Sequence, residues 1–294
     1  MKPAAFSRTA PFDPRFVERS ALFWPVARAA LALCGPQSEG SPLCPLSPFR
    51  PFRPFPAVES FGRVFDAPLS SQRALTGDSQ RALTGDPQGT SKGDPRGAAR
   101  GAAQDAPPPV RFVASPPRVR PRRGRRREAI VVRDLYDARI TLDRVVPTRP
   151  DSWHDLMNAL VWGTFPRAKL ALHARQHRAI AERIAPDART LPPTRTRELD
   201  ALALLDEGGV ILPWGDASRP VVFGHAIYES LALGIPPAVV AGVRIDLADI
   251  ERAEGTPVTI DFLPAIDAAL ARFIGDPARL QTPEGLSRIE LTGA

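Results

Sequence analysis

Ser152-Trp153-His154-Asp155-Leu156-Met157-Asn158-Ala159-Leu160-Val161-Trp162 is the stretch on which the reading of this 294-residue chain turns. At about 100° per residue, Trp153, Leu156, Met157, Leu160 and Val161 share one apolar face, and His154, Asn158, Trp162 and Asp155 share the other. A surface helix fills its second face with Lys, Arg and Glu. His, Asn, Asp and Trp in that place point to a lined cavity. Pro147 and Pro150 break the chain just before this helix, and Asp151 or Ser152 serves as its N-cap.

Working outward, Ala129 to Val132 reads as a short strand, and Pro166 suits the first turn of a second helix running to about Ile184. Leu199 to Leu212 reads as a hairpin, with Asp206-Glu207-Gly208-Gly209 as its turn. Val221 to Phe223 is a strand leading into a helix from His225 to Leu233. Val239 to Ile245 is another strand, and Ala265 to Ile274 a last helix. The expected fold class is α+β: a single mixed domain over 129–275, helix-rich with a small sheet, followed by a tail at 276–294.

The first half has a different composition. Phe16 to Leu33 has helical spacing, and its apolar face is expected to pack on the core. Within the same N-terminal segment (1–60), Pro48 to Pro56 repeats a Pro-Phe-Arg unit that favours extended polyproline. Ser71 to Asp78 recurs unchanged as Ser79 to Asp86. Residues 66–128 are therefore expected to form a disordered, low-complexity linker. Eight arginines crowd into 111–127 with no acid, and without them the formal charge of +7 would be −1. The stretch 118–127 could contact nucleic-acid phosphates or another acidic partner, non-specifically. Few aromatics interleave it, so it offers no stacking platform for single strands.

No apolar run is long enough to span a bilayer, and two cysteines, Cys34 and Cys44, make no disulfide framework. A cytoplasmic location is expected.

Val146-Pro147-Thr148-Arg149, Trp153-His154-Asp155, Asn158, Leu160-Val161-Trp162, Phe165-Pro166 and Lys169 together resemble a bacterial family known as domain of unknown function 3025. Asp200-Ala201-Leu202, Leu205-Asp206-Glu207, Phe223-Gly224-His225 and Glu229 extend the likeness, which spans about residues 11 to 250. The resemblance implies no activity, because the family has none assigned. Its members lack the long insert and end in a Pro/Leu-rich segment that Leu291-Thr292-Gly293-Ala294 does not match.

All four histidines lie between 154 and 225. His154 and Asn158, one turn apart, can act as metal ligand and support, as base and orienter, or as a polar pair inside the core. His225 and Glu229 form a second such pair at the start of a helix, where the dipole favours a neutral imidazole. Asp155 is a candidate metal ligand or, at the third helical position after Ser152, the closing residue of a near capping box. Lys169, His173 and His177 recur every four residues. The glutamate of HExxH is absent, so they read as a solvated basic stripe. Lys169, with Arg167 close by, is kept as a candidate anion contact. Asp206 and Glu207 are explained by turn chemistry, or complete a metal site if the hairpin tip folds over the cavity.

Two functions follow. The first is a metal-assisted hydrolase: His154, Asn158, His225, Glu229 and Lys169 carry the chemistry, and His154, His225 and Asp155 hold a divalent metal. The second is a non-catalytic binding or scaffold protein whose polar groups form a structural network. The decisive observation is whether the rings of His154 and His225 meet.

Overall fold

The computed structural model describes residues 11–34, 55–66, 109–116, 129–213, 219–235, 240–245 and 258–291. In chain order these form two short 3-10 turns (Phe16–Arg19 and Ala21–Phe23), α1 (Ala27–Cys34) and a longer 3-10 segment (Val58–Phe65). Next come β1 (Arg111–Ala114), α2 (Tyr136–Asp143), β2 (Val145–Thr148), α3 (Trp153–Thr164), α4 (Pro166–Ala181) and α5 (Arg197–Gly208). The remainder is β3 (Gly209–Pro213), β4 (Val221–Val222), α6 (His225–Ala232), β5 (Val240–Ile245), α7 (Leu263–Gly275) and β6 (Ser287–Ile289). The fold is α+β, rich in helix with small sheets.

α3 is the central helix. Ser152 is extended and its Oγ accepts the Asp155 backbone N–H at 3.3 Å, which satisfies one orphan donor of the first turn. Both faces of α3 are covered: Trp153, Leu156, Met157, Leu160, Val161 and Trp162 are all buried. Phe12, Phe16 and Phe55 pack around the Trp153 ring at centroid distances of 5.3–5.6 Å. Phe23 stacks on Tyr228 of α6 at 5.3 Å.

α4 begins at Pro166 without a side-chain cap of its own. Asp267 of α7 supplies one across the core, accepting the backbone N–H groups of Arg167 (3.2 Å) and Ala168 (2.8 Å). Arg175 of α4 closes the other end of α7, donating to the carbonyls of Ile274 and Asp276 (2.9 Å each) and Arg279 (2.7 Å), and to Glu198 (2.6 Å). These exchanges explain the extensive α4–α7 contact.

β1 and β2 pair in parallel, Arg111 opposite Val145 through Ala114 opposite Thr148. The second sheet has the order β4-β3-β5-β6, with β3 and β5 parallel and both outer strands antiparallel to their neighbours.

Several expectations need correction. Leu199 to Leu205 is helix, not the first arm of a hairpin. Thr196 Oγ1 caps it by accepting the Leu199 N–H at 3.1 Å, Glu198 and Asp200 suit its first turn, and Leu199, Leu202 and Leu205 are buried. The antiparallel partner of Val210 and Ile211 is β4. Ala129 to Val132 is not a strand: Ile130 N–H bonds the Ala188 carbonyl, and Val132–Asp134 is a 3-10 turn. The expected linker 66–128 contains β1, because Phe112 buries itself against Phe61 and Phe65. The expected tail adds β6 to the sheet and buries Leu280. The octapeptide repeat, Cys44 and the Arg stretch 118–127 lie outside the described residues. Among the described residues, no helix is long and apolar enough to cross a membrane.

Candidate metal centre

His154 is the second residue of α3 and His225 the first of α6. The junction that delivers His225 is tight. The N–H groups of Phe223 and Gly224 both donate to the Gly209 carbonyl, at 2.9 and 2.8 Å. A Cβ on Gly224 would lie 2.5 Å from the Glu207 carbonyl oxygen and from the Gly209 nitrogen, so only glycine lets the start of α6 lie against the end of α5. That approach carries His225 to Glu207.

The two imidazoles meet. His154 Nε2 and His225 Nε2 are 2.9 Å apart, with ring planes at 75°. Glu207 Oε2 is 3.5 Å from His225 Nε2. One ligand atom from each of His154, Glu207 and His225 lies within 4.8 Å of the others. Behind the rings stand two more carboxylates. His154 Nδ1–H donates to Glu229 Oε2 at 3.0 Å, since a carboxylate can only accept. His225 Nδ1 faces Asp206 Oδ1 at 3.8 Å, and that carboxylate takes the Lys169 ammonium at 2.5 Å.

The surroundings set the charges. The bond to Glu229 holds the His154 imidazole above its usual range, against the effect of burial. Burial pushes His225 down to about 3, so its imidazole is neutral at pH 7. Burial raises Glu207. Burial alone would raise Asp206 too, but the ammonium of Lys169 holds it well below the usual carboxylate range. The site opens on the Glu207 side, whose side chain is 51% exposed; that of His154 is 30% exposed and that of His225 only 4%.

The expected residues divide. His154, His225 and Glu229 converge, but Glu229 serves His154 across the α3–α6 contact and not its own-helix neighbour His225. Asn158 does not orient His154. Its Nδ2 donates weakly to the Tyr136 hydroxyl at 3.5 Å, and its Oδ1 is buried without a hydrogen-bond partner. Asp155 is held by Arg149 through Nε (3.0 Å) and Nη2 (2.8 Å), and Glu207 stands in the place expected for it. Lys169 is fully buried and bound to Asp206, not open to an anion.

The basic stripe is not solvated. His173 is 2% exposed, donates from Nδ1 to Asp137 at 2.8 Å and stacks on Trp162 at 5.6 Å. Glu207 and Asp206 act from the last turn of a helix and not from a hairpin tip. The cap at Thr196 was the signal for that helix.

Residues 126–218 match the family model described as "Protein of unknown function (DUF3025)". The chain resembles that family. The matched stretch holds His154, Lys169, Asp206 and Glu207 and stops short of His225 and Glu229. No curated protein and no solved structure matches the chain.

Proposed function

We propose that His154, His225 and Glu207 bind a divalent transition metal and that the protein is a metal-assisted hydrolase. One observation carries the reading: two imidazole nitrogens and a carboxylate oxygen converge on one point, with Glu229 hydrogen-bonded behind His154 and the Asp206 carboxylate 3.8 Å behind His225, whose Nδ1 is buried without a hydrogen-bond partner. Carboxylate-backed histidines are the usual outer shell of metal ligands, because the backing fixes tautomer and ring orientation and raises basicity. Two nitrogens and an oxygen suit zinc and its first-row neighbours. At Zn–N bonds of about 2.0–2.1 Å two tetrahedral ligands stand roughly 3.3 Å apart, so the rings at 2.9 Å need to part by only a few tenths of an ångström.

Three protein ligands leave a position for water, whose pKa falls to about 7 on zinc. Glu207, on the open side, would complete the ligand set as its third member. The test is metal analysis of protein purified without a His tag, with zinc titration of His154→Ala, His225→Ala and Glu207→Gln. Stoichiometric metal, with binding lost in the variants, supports the reading. Wild-type protein that takes up no metal under any expression condition overturns it.

A second reading has its own support. The buried pairs Lys169–Asp206 and His173–Asp137, and the exposed pair Arg149–Asp155, extend the polar cluster well beyond the imidazoles. In a scaffold or binding protein the whole network would fix helix packing. The histidine variants would then lose thermal stability and have no metal binding to lose.

A further inference from the structure

Lys169 is the least expected residue of the interior. It is 0% exposed, its ammonium meets Asp206 Oδ1 at 2.5 Å, and the Trp162 ring lies 5.7 Å away. A buried ion pair is a poor source of stability, since desolvating both ions offsets their attraction and an apolar pair of similar volume is often as stable. Its position gives it a different use. Asp206 immediately precedes Glu207 in the last turn of α5, and its carboxylate faces Nδ1 of His225. The pair thus ties α4 to the turn that supplies one ligand and to the back of another. Glu229 stands behind His154 more closely, in a hydrogen bond of 3.0 Å.

We infer that Lys169 and Asp206 are positioning residues of the metal centre, an inference that rests on the metal reading above. Lys169 pins the last turn of α5, which aims Glu207 at the imidazoles. The negative charge of Asp206, 3.8 Å from a Nδ1 that has no hydrogen-bond partner, favours the His225 proton on that nitrogen and leaves the Nε2 lone pair bare for the metal. Such a tautomer choice is the standard use of the group behind a ligating histidine. Lys169 touches neither metal nor substrate.

The test compares full-length wild type, Lys169→Met and Asp206→Asn. Thermal melting, Co(II) titration with its visible spectrum, and nitrogen NMR shifts of the His225 ring in metal-free protein are measured. Both variants are expected to melt below wild type, since each leaves one member of a buried ion pair without its partner. The Co(II) Kd rises about 10- to 100-fold in each. The His225 ring loses its single Nδ1–H tautomer, and the cobalt spectrum changes with it. A purely structural pair would lower the melting temperature alone and leave tautomer and spectrum as they are.

A folded variant that keeps the wild-type tautomer, or binds Co(II) within about twofold of wild type, overturns the inference. If Lys169→Met does not fold, Asp206→Asn decides alone. If wild type binds no Co(II), the metal reading fails, and the His225 tautomer in wild type against Asp206→Asn still decides whether the pair positions that ring.

Discussion

His154 and His225, 71 positions apart in the chain, face each other through their Nε2 atoms at 2.9 Å. Each ring is the first or second residue of its helix, so its direction is set by a helix start and not by a loop. At that distance one nitrogen must donate and the other accept. The tautomers of the two rings set which one donates, and a single proton lies between the nitrogens. A metal ion would take the place of that proton.

Glu229→Gln tests how the His154 charge is held. The bond to Glu229 raises the His154 pKa, so the folded state binds the proton more tightly than the unfolded chain. The stability this contributes is fully present below the unfolded value of about 6.5 and is lost as pH rises through the raised folded value. In the variant the His154 titration, followed by NMR, moves down. The stability lost relative to wild type is larger at pH 5.5 than at pH 8.5. Zinc affinity falls about 10- to 100-fold. An unmoved titration would remove Glu229 from this role.

Asp267 makes stability depend on pH in the opposite sense to most carboxylates. Burial raises it to about 6 although it accepts two backbone N–H bonds. Its folded pKa lies above its unfolded one, so stability from this group is complete below about pH 4 and declines as pH rises through 6. The shift corresponds to a change on the order of 2 to 3 kcal/mol. Urea melts at pH 4 and pH 7 should show it in wild type and show much less of it in Asp267→Asn. Equal pH dependence in the two proteins would contradict the assignment.

Arg175→Met removes the group that closes the end of α7. Three carbonyls and Glu198 lose their donor together, and the bond to the Ile274 carbonyl is fully buried. The expected loss is about 3 kcal/mol or more, read from denaturant unfolding. Arg175→Lys should recover only a fraction, because an ammonium cannot reproduce the planar fork. A loss under about 1 kcal/mol for the methionine variant would show that the cap is idle.

Gly224→Ala adds one methyl group 2.5 Å from the Glu207 carbonyl oxygen. The start of α6 must move off the α5–β3 junction, and His225 with it. Overpacking of this kind costs about 1 to 3 kcal/mol. Zinc affinity should fall in step, although Gly224 supplies no ligand. Wild-type affinity in this variant would mean that the junction does not place His225.

The helices with local signals were legible without a fold. Ser152 before an amphipathic run, Pro166 in a first turn and the strand-to-helix change at Phe223–His225 all mark elements whose cause lies within a few residues. Asp206 and Glu207 were not legible in the same way. A short apolar run ending in two glycines suits a strand and turn as well as a helix and its exit. Burial of Leu199, Leu202 and Leu205 settled the choice. Phe112 and Leu280 were lost to composition, since Pro- and Arg-rich neighbours hid apolar side chains that find partners far away in the chain.

By itself the sequence determined that His154 and His225 begin helices, because caps, prolines and periodicity act over a turn or two of chain. Only the tertiary structure decided which groups meet: Glu229 with His154, Lys169 with Asp206, Arg149 with Asp155 and Glu207 with the paired imidazoles. Those choices depend on how helices pack against one another. Packing is set by the shape and burial of the whole core, which no local spacing encodes.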